Sequence, residues 1–217
     1  MKITILTLFP DYFTSPLGQS LLGKAGENNL LSFEVRNIRD YTPYNHGQVD
    51  DSPYGGGSGL VMMPEAAALA IESIPSYTQK NAPVIYPTPR GEDFTQADAE
   101  KLSSFDELIF LCGRYEGVDE RVLQTHVTYQ YSLGNCVTLG GEAPTLMMIE
   151  AVARLLPGVI GKEASHIFES FSPAYGQKRE YPLYTRPQIW RGIEIPPALK
   201  SGHHKMIFDW KEDHLLD

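Results

Sequence analysis

The first 159 residues alternate between strand-like and helix-like segments, and this alternation constrains the fold more than any other feature of the sequence. Apolar runs typical of strands occupy residues 2–8, 33–37, 82–87, 107–113 and 136–141. Helical patterns lie between them: Pro64 opens one over 65–74, Thr95 is an N-cap for one over 95–104, and Pro144 opens one over 145–156. Strands that alternate with helices favour an α/β domain with a mainly parallel sheet.

The composition is that of an ordinary globular protein of 217 residues, with 42% hydrophobic and 21% charged residues. No uncharged apolar run reaches the length of a membrane span. The apolar start is followed at once by Pro10 and Asp11, so it is interpreted as a first strand and not as a signal peptide. We expect Cys112 and Cys136 to be buried, reduced thiols, which favours a cytoplasmic protein.

Two stretches interrupt the alternation. Residues 40–60 are polar and rich in Gly, Pro and Tyr, and a loop of this length in a compact domain is usually functional or mobile. Residues 157–187 have little periodicity and several prolines. We therefore predict a catalytic domain over 1–159, a flexible linker over 160–176, and a short helical segment over 177–217 that is too small for a robust core of its own.

The net charge of −9 gives no support for a protein that grips nucleic acid by its phosphates. The acidic excess lies in residues 1–159, whereas residues 160–217 contain eight basic and eight acidic residues. A polyanion could still bind a local basic patch in that second part.

Three predicted strands end in loops rich in Gly or Pro: residues 86–91, 112–121 and 132–144. Ligands of open α/β sheets bind at the carboxyl ends of the strands, and Gly lets the backbone approach a ligand closely. The loops therefore predict one ligand site built from backbone, with plain tight turns as the alternative. The Gly-rich stretch 55–59 is not followed by GK[ST], and no GxGxxG motif opens a helix, which disfavours nucleotide and nicotinamide sites.

Several charged residues near these loops need an explanation. Asp119 and Glu120 suit the first turn of a helix, whereas Glu116 lies between two glycines. Arg154 lies in an otherwise apolar helical pattern, so it must reach either a partner or solvent. The histidines have no metal-site spacing, and we predict no metal centre; His203 and His204 are interpreted as surface or capping residues.

The sequence closely resembles bacterial tRNA (guanine-N1)-methyltransferases of the SPOUT class, from residue 8 to residue 204. The motifs that carry the resemblance are VDDSPYGGGSGLVMM, CGRYEGVDERV, LGGEAP, PGVIGKEAS, ESF and YTRP, in this order. The resemblance implies a parallel sheet with a deep C-terminal trefoil knot, a homodimer with sites at the subunit interface, and bound S-adenosylmethionine. The sequence leaves a need for Mg²⁺ open.

The resemblance also implies residue roles in the cofactor site. It assigns S-adenosylmethionine binding to Tyr86, Pro87, Thr88, Pro89, Gly113, Arg114, Tyr115, Glu116, Leu133, Gly134, Asn135, Cys136, Val137, Thr138, Gly140, Gly141 and Pro144.

By the same resemblance, the reaction is methylation of N1 of the guanine on the 3′ side of the tRNA anticodon. Glu169 would be the base that removes the N1 proton, Arg154 would stabilise negative charge on O6, and Glu116 would also be catalytic. The family usually has Asp where this chain has Glu169. The alternatives left open are a SPOUT enzyme for another RNA and a non-catalytic cofactor-binding or RNA-binding relative.

The expected tRNA contacts lie on both sides of the predicted linker. Members of the family commonly continue past SGHH with a basic tail, whereas this sequence ends in WKEDHLLD, and Ser52 stands where Arg is common. Both departures bear on tRNA affinity more than on cofactor binding. The remaining anchors would be His46, Asp50, Asp51, Lys178, Arg179, Arg186 and Arg191.

Overall fold

A computed structural model describes residues 1–161 and 167–216 of the chain, which forms two compact units, 1–161 and 162–217. Residues 162–166 of the predicted linker and residue 217 lie outside the described residues. Of the rest of the predicted linker, residues 160–161 belong to the first unit and residues 167–176 to the second. Along the described stretches no helix is long and apolar enough to cross a membrane.

The first unit is built on a five-stranded parallel sheet, as the alternating pattern predicts. Its order is β2-β1-β6-β5-β7, and a separate two-residue ladder pairs β3 with β4 in antiparallel fashion. The strands are β1 (Lys2–Thr7), β2 (Ser32–Asn37), β3 (Asp50–Asp51), β4 (Val61–Met62), β5 (Val84–Asp93), β6 (Glu107–Leu111) and β7 (Tyr129–Ser132).

The helices of the first unit connect and cover these strands. They are α1 (Thr14–Leu17), α2 (Ser20–Glu27), α3 (Pro64–Glu72), α4 (Pro75–Lys80), α5 (Gln96–Ser103), α6 (Glu120–His126) and α7 (Glu142–Ala153). The three predicted helices are confirmed. The Thr95 hydroxyl caps α5 in a capping box with Asp98. Helix α7 begins two residues before Pro144 and ends earlier than predicted, so Arg154 is its C-cap.

The predicted strand over 136–141 is wrong, and β7 is the fifth strand of the sheet instead. The β-branched Val137 and Thr138 have strand propensity, but a strand also needs a neighbour to pair with. Residues 136–141 form a loop whose first four residues are exposed, and the side chains of Val137 and Leu139 are 84% and 91% exposed. In β7, by contrast, Tyr131 and Ser132 are buried beside β5.

The sheet has an apolar cluster on each face, and the side chains of β6 alternate between the two. Leu108 and Phe110 pack in the cluster that includes Met148 and Ile149 of α7. Ile109 and Leu111 pack in the cluster that includes residues of α3 and α6. This alternation is the period-two pattern of a strand buried on both faces. The carboxyl ends of β5, β6 and β7 therefore reach the same edge of a rigid sheet.

The second unit is smaller and has few buried side chains among residues 167–216. Its elements are β8 (Ile189–Trp190), β9 (Ile193–Glu194), α8 (Pro197–Lys200) and α9 (His204–Asp213). His203 is the N-cap of α9, which confirms its interpretation as a capping residue. Strands β8 and β9 form an exposed hairpin.

Aromatic rings hold this unit together. The rings of Tyr181 and Tyr184 lie 6.2 and 6.1 Å from Trp210, and His214 stacks on Trp210 at 4.1 Å. Tyr175 contacts Tyr181 at 6.0 Å. These contacts take the place of the layered apolar core that the first unit has.

Candidate functional site

The first predicted loop is a bulge in the middle of β5. Residues Ile85–Pro87 pair with β7, and pairing resumes only at Glu92, so the residues between them leave the sheet. A β-carbon at Gly91 would lie 2.5 Å from the backbone of Gln130, so the returning chain crosses β7 very closely. The bulge thereby presents Thr88 and Pro89 at the edge of the sheet.

The second loop leaves β6 and turns directly over the first. A β-carbon at Gly113 would lie 2.7 Å from the hydroxyl oxygen of Tyr86, so no other residue fits there without a shift. Burial raises the pKa of the Tyr86 phenol, which therefore stays neutral. Tyr115 has a φ of +59°, and its side chain is exposed at the turn.

Glu116 connects the second loop to the Gly-rich stretch 55–59. Its amide donates to the carbonyl oxygen of Leu60 at 2.9 Å. A β-carbon at Gly59, whose φ is +93°, would lie 2.6 Å from Oε1 of Glu116. Gly59, at the end of the Gly-rich stretch, therefore packs against the Glu116 carboxylate.

The third loop, residues 133–141, contacts the second loop through backbone atoms. The amide of Gly141 donates to the carbonyl oxygen of Gly113 at 2.9 Å. A β-carbon at Gly141 would lie 2.9 Å from the α-carbon of Cys112. Burial raises the pKa of the Cys112 thiol, which is therefore no nucleophile. Cys136 lies in the exposed part of this loop, so the expectation of a buried thiol is wrong there.

The three loops together line one cleft. Of the predicted cofactor residues, all but Gly134 and Asn135 line it, and Gly117 and Leu139 line it in addition. The lining residues are Tyr86, Pro87, Thr88, Pro89, Gly113, Arg114, Tyr115, Glu116, Gly117, Leu133, Cys136, Val137, Thr138, Leu139, Gly140, Gly141 and Pro144. Gly117 and Leu139 both lie within the predicted loops 112–121 and 132–144, so the loop boundaries alone could have identified them as lining residues.

A buried ion pair lies beside the cleft. Nε of Arg114 is 2.9 Å from Oε2 of Glu142, although the direction of the N–H does not give an aligned hydrogen bond. The other carboxylate oxygen accepts a hydrogen bond from the Thr7 hydroxyl at 2.8 Å. Sequence reasoning missed Glu142, because its partners are 28 and 135 positions away in the chain.

Two of the predicted catalytic residues, Glu116 and Arg154, belong to the first unit, and Glu169 belongs to the second. Glu116 lines the cleft, whereas Arg154 lines another cavity at the far end of α7, together with Leu21, Met147 and Glu150. Glu169 belongs to the second unit, where it is half-buried and its carbonyl oxygen accepts the amide of Ser172 at 3.1 Å. Within the first unit the cleft and Arg154 are therefore separate.

The predicted tRNA-binding residues of the first unit lie on a chain segment fastened to the second loop. His46 is exposed with a φ of +59°, and Asp50 and Asp51 form β3. Strand β3 pairs with β4, and β4 is bonded to the second loop, because the amide of Met62 donates to the carbonyl oxygen of Gly117 at 2.9 Å.

In the second unit, Lys178, Arg179, Arg186 and Arg191 are exposed. Arg191 lies over the ring of Trp190 in the β8–β9 hairpin, 4.8 Å from its centroid. Among residues 1–161 and 167–216, no three His, Cys, Asp or Glu side chains are grouped as metal ligands.

Comparison with known proteins gives a consistent result over the whole chain. The family model described as tRNA (Guanine-1)-methyltransferase TrmD matches residues 1–217. A tRNA (guanine-N(1)-)-methyltransferase of Synechocystis sp. is 49% identical over 211 residues, which cover 97% of this chain and 89% of the relative. The enzyme of the same name from Bacillus subtilis is 46% identical over 211 residues, covering 97% and 86%. One from Bacillus cereus is 45% identical over 216 residues, covering 100% and 87%.

Proposed function

We propose, because this chain belongs to the tRNA (guanine-1)-methyltransferase family, that it methylates N1 of the guanine on the 3′ side of the tRNA anticodon, with S-adenosylmethionine as the methyl donor. The observation that carries the proposal is the family match over residues 1–217. The single cleft that the three loops form is compatible with it, because a small donor molecule needs one enclosed place at the edge of the sheet.

The cleft suits S-adenosylmethionine in its chemistry. Gly141 keeps the backbones of the second and third loops closer together than a β-carbon allows, and Gly113 leaves room for the ring of Tyr86, so both loops can line the cleft with backbone. Pro87, Pro89 and Leu133 provide apolar walls for a purine ring. The Glu116 carboxylate favours a cation, and S-adenosylmethionine supplies a methyl group on a positively charged sulfur.

The chain's own residues have to handle a proton and a developing charge. Guanine N1 carries a proton and is a poor nucleophile until that proton leaves. We propose that the carboxylate of Glu169 removes this proton. The guanidinium of Arg154 then stabilises the negative charge that develops on guanine O6. Glu169 has one methylene more than the usual Asp, so it reaches further and has more rotamers to fix before it acts.

The length of α7 supports a site shared between two copies of the chain. Pro144 lines the cleft and Arg154 ends the same helix, ten residues later. At 1.5 Å per residue the two lie about 15 Å apart along the axis, which is further than an arginine side chain reaches. An Arg154 that acts on a base beside the cleft would therefore come from a second copy. The exposed Val137 and Leu139 give such a homodimer apolar surface to bury.

Three further features of the proposal rest on family membership. We propose a deep trefoil knot in the C-terminal part of the sheet, cytoplasmic location, and tRNA contacts from His46, Asp50, Asp51, Lys178, Arg179 and Arg186. The basic side chains among these are exposed and could contact phosphates.

The test uses labelled S-adenosylmethionine and two tRNA transcripts that differ only in the base on the 3′ side of the anticodon, guanine or adenine. We expect label to be transferred to the guanine transcript alone, with 1-methylguanine as the product on nucleoside analysis. Transfer to both transcripts would mean another target position, and transfer to neither would contradict the proposal.

A further inference from the structure

We propose that Arg114 and Glu142 form a positioning pair that supports the third loop, and that Arg114 does not recognise the charge of the cofactor. The inference rests on the proposed function, because it concerns the same cleft. It assigns a role to Glu142, and it changes the role that sequence resemblance implies for Arg114.

Glu142 is placed where a carboxylate is strongly held. It is the first residue of α7, and its side chain is 1% exposed. Unpaired amides at a helix N-terminus favour negative charge. The Thr7 hydroxyl donates to one of its oxygens, and Nε of Arg114 lies 2.9 Å from the other as an ion pair. A buried carboxylate in this environment depends on its cation, because burial without a partner is strongly unfavourable.

Arg114 is held on several sides, and its contacts close a ring. Its guanidinium carbon lies 4.4 Å from the centroid of the Phe9 ring, and Nη1 donates to the carbonyl oxygen of Leu139 at 3.3 Å. The amide of Phe9 donates to the Thr7 hydroxyl oxygen at 3.0 Å, and that hydroxyl donates to Glu142. The end of β1, the second loop, the third loop and α7 are thereby joined through these few side chains.

The backbone of the third loop lies directly on the pair. A β-carbon at Gly140 would lie 2.5 Å from Cδ of Arg114 and 2.6 Å from Oε2 of Glu142. If Arg114 turned into the cleft to meet a ligand carboxylate, it would leave Glu142 buried without its cation and remove the support of Leu139. The geometry therefore favours a fixed Arg114 whose effect on the cofactor is indirect, through the position of residues 133–141.

The test compares two ligands that differ in charge at one end. S-adenosylhomocysteine carries the amino-acid carboxylate, whereas 5′-methylthioadenosine has neither the carboxylate nor the amino group. Calorimetry measures the Kd of both for the wild type, Arg114→Gln, Glu142→Gln and the double variant. A Lys80→Gln variant controls for loss of a positive charge, because the Lys80–Glu107 pair lies outside the cleft lining.

We expect each single variant to weaken both ligands by the same factor, about tenfold, and the double variant to be no weaker than the worse single one, because the two residues act as one unit. Lys80→Gln should leave both Kd values unchanged. Thermal unfolding of each variant identifies any that fail to fold; Glu142→Gln keeps the shape and the Thr7 contact, so it carries the test if Arg114→Gln unfolds.

A selective loss would overturn the inference. If Arg114→Gln weakens S-adenosylhomocysteine but leaves 5′-methylthioadenosine unchanged, with Glu142→Gln silent for both ligands, Arg114 recognises the carboxylate directly. Additive losses in the double variant would also overturn it. A wild-type protein that binds neither ligand would instead refute the proposed function, and the inference with it.

Discussion

The two units of this chain are stabilised by different means. Residues 1–161 have a sheet with an apolar cluster on each face, and the walls of the cleft are backbone loops fixed by close glycine contacts. Residues 167–216 have a set of aromatic ring contacts around Trp210 and a small exposed hairpin. A site that needs sub-ångström precision is best built on a packed sheet with fixed loops. A contact surface for a large substrate can be built on the looser set of aromatic contacts.

This difference suggests a division of labour. The first unit would bind the methyl donor, whereas Glu169 in the second unit would handle the proton of the base. If so, substitutions in the two units should separate donor affinity from turnover, and each prediction below tests that separation.

The largest effect is expected at Glu169. Glu169→Gln removes the proposed proton acceptor and should lower kcat by roughly 10²–10⁴-fold. The Kd for S-adenosylmethionine should stay within about twofold, since every lining residue of the cleft lies in the first unit. Single-turnover methylation and calorimetry measure the two quantities.

Glu169→Asp is the matched control and should keep turnover, because the carboxylate is retained. Equal single-turnover rates for the wild type and Glu169→Gln would show that another group removes the proton.

Gly141→Ala should have the next largest effect, which is a weaker affinity for the methyl donor. The new β-carbon would lie 2.9 Å from the backbone of Cys112, so the third loop must shift, at a cost of about 1–3 kcal/mol. Calorimetry with S-adenosylmethionine should therefore show clearly weaker binding.

Gly26→Ala is the control in the same unit, because nothing lies within 4 Å of a β-carbon there and the residue is in α2. It should leave donor affinity unchanged and stabilise the fold by about 0.5–1 kcal/mol. An unchanged affinity for Gly141→Ala would mean that close packing of the loops does not shape the cleft.

Trp210→Ala should destabilise the second unit and leave donor binding unaffected. The substitution removes ring contacts to Tyr181, Tyr184 and His214, at a cost of about 2 kcal/mol, below the usual value for a fully buried Trp. Limited proteolysis should cleave residues 167–216 faster.

Trp190→Ala is the control, since that ring is 57% exposed on the hairpin, and its effect on stability should be within about 0.5 kcal/mol. If Trp210→Ala also abolishes donor binding, the two units are not independent.

The smallest effect concerns pH and the start of α6. The hydrogen bonds from Arg121 hold the pKa of Asp119 below its ordinary value. A lowered folded-state pKa adds stability above the unfolded-state pKa, and this stability is lost as the pH falls through the folded-state pKa. Because Arg121 is largely exposed, the contribution is about 0.5 kcal/mol.

Asp119→Asn keeps a good N-cap but removes the charge. Urea unfolding should show the variant less stable than the wild type at neutral pH, with a difference that shrinks in acid. The same difference at both pH values would contradict the role of the Asp119 charge.

Much of the fold and part of the site could be predicted from sequence because the signals are local. Pro64 and Thr95 mark helix starts by their own chemistry, and paired glycines mark loops where backbone approaches closely. The loops at 86–91, 112–121 and 132–144 line one cleft because parallel strands end at one edge of the sheet. Their binding role stays a prediction.

The rest depends on partners that are distant in the chain. Residues 136–141 have β-branched side chains but no neighbouring strand, whereas the half-polar β7 forms only because β5 lies beside it. The Arg114–Glu142 pair needs the second and third loops to meet before either residue has a partner. The local propensity of a residue shows neither which strand will lie beside it nor which distant loop its side chain will meet.

Helix α7 begins at Glu142, two residues before Pro144 of the cleft lining, and Arg154 is its C-cap, so the helix works as a spacer of fixed length. One inserted residue would move Arg154 by about 1.5 Å and rotate it by about 100° around the axis. An insertion or deletion here should thus be far more harmful than one in the exposed stretch 55–57, where the backbone has room to absorb it.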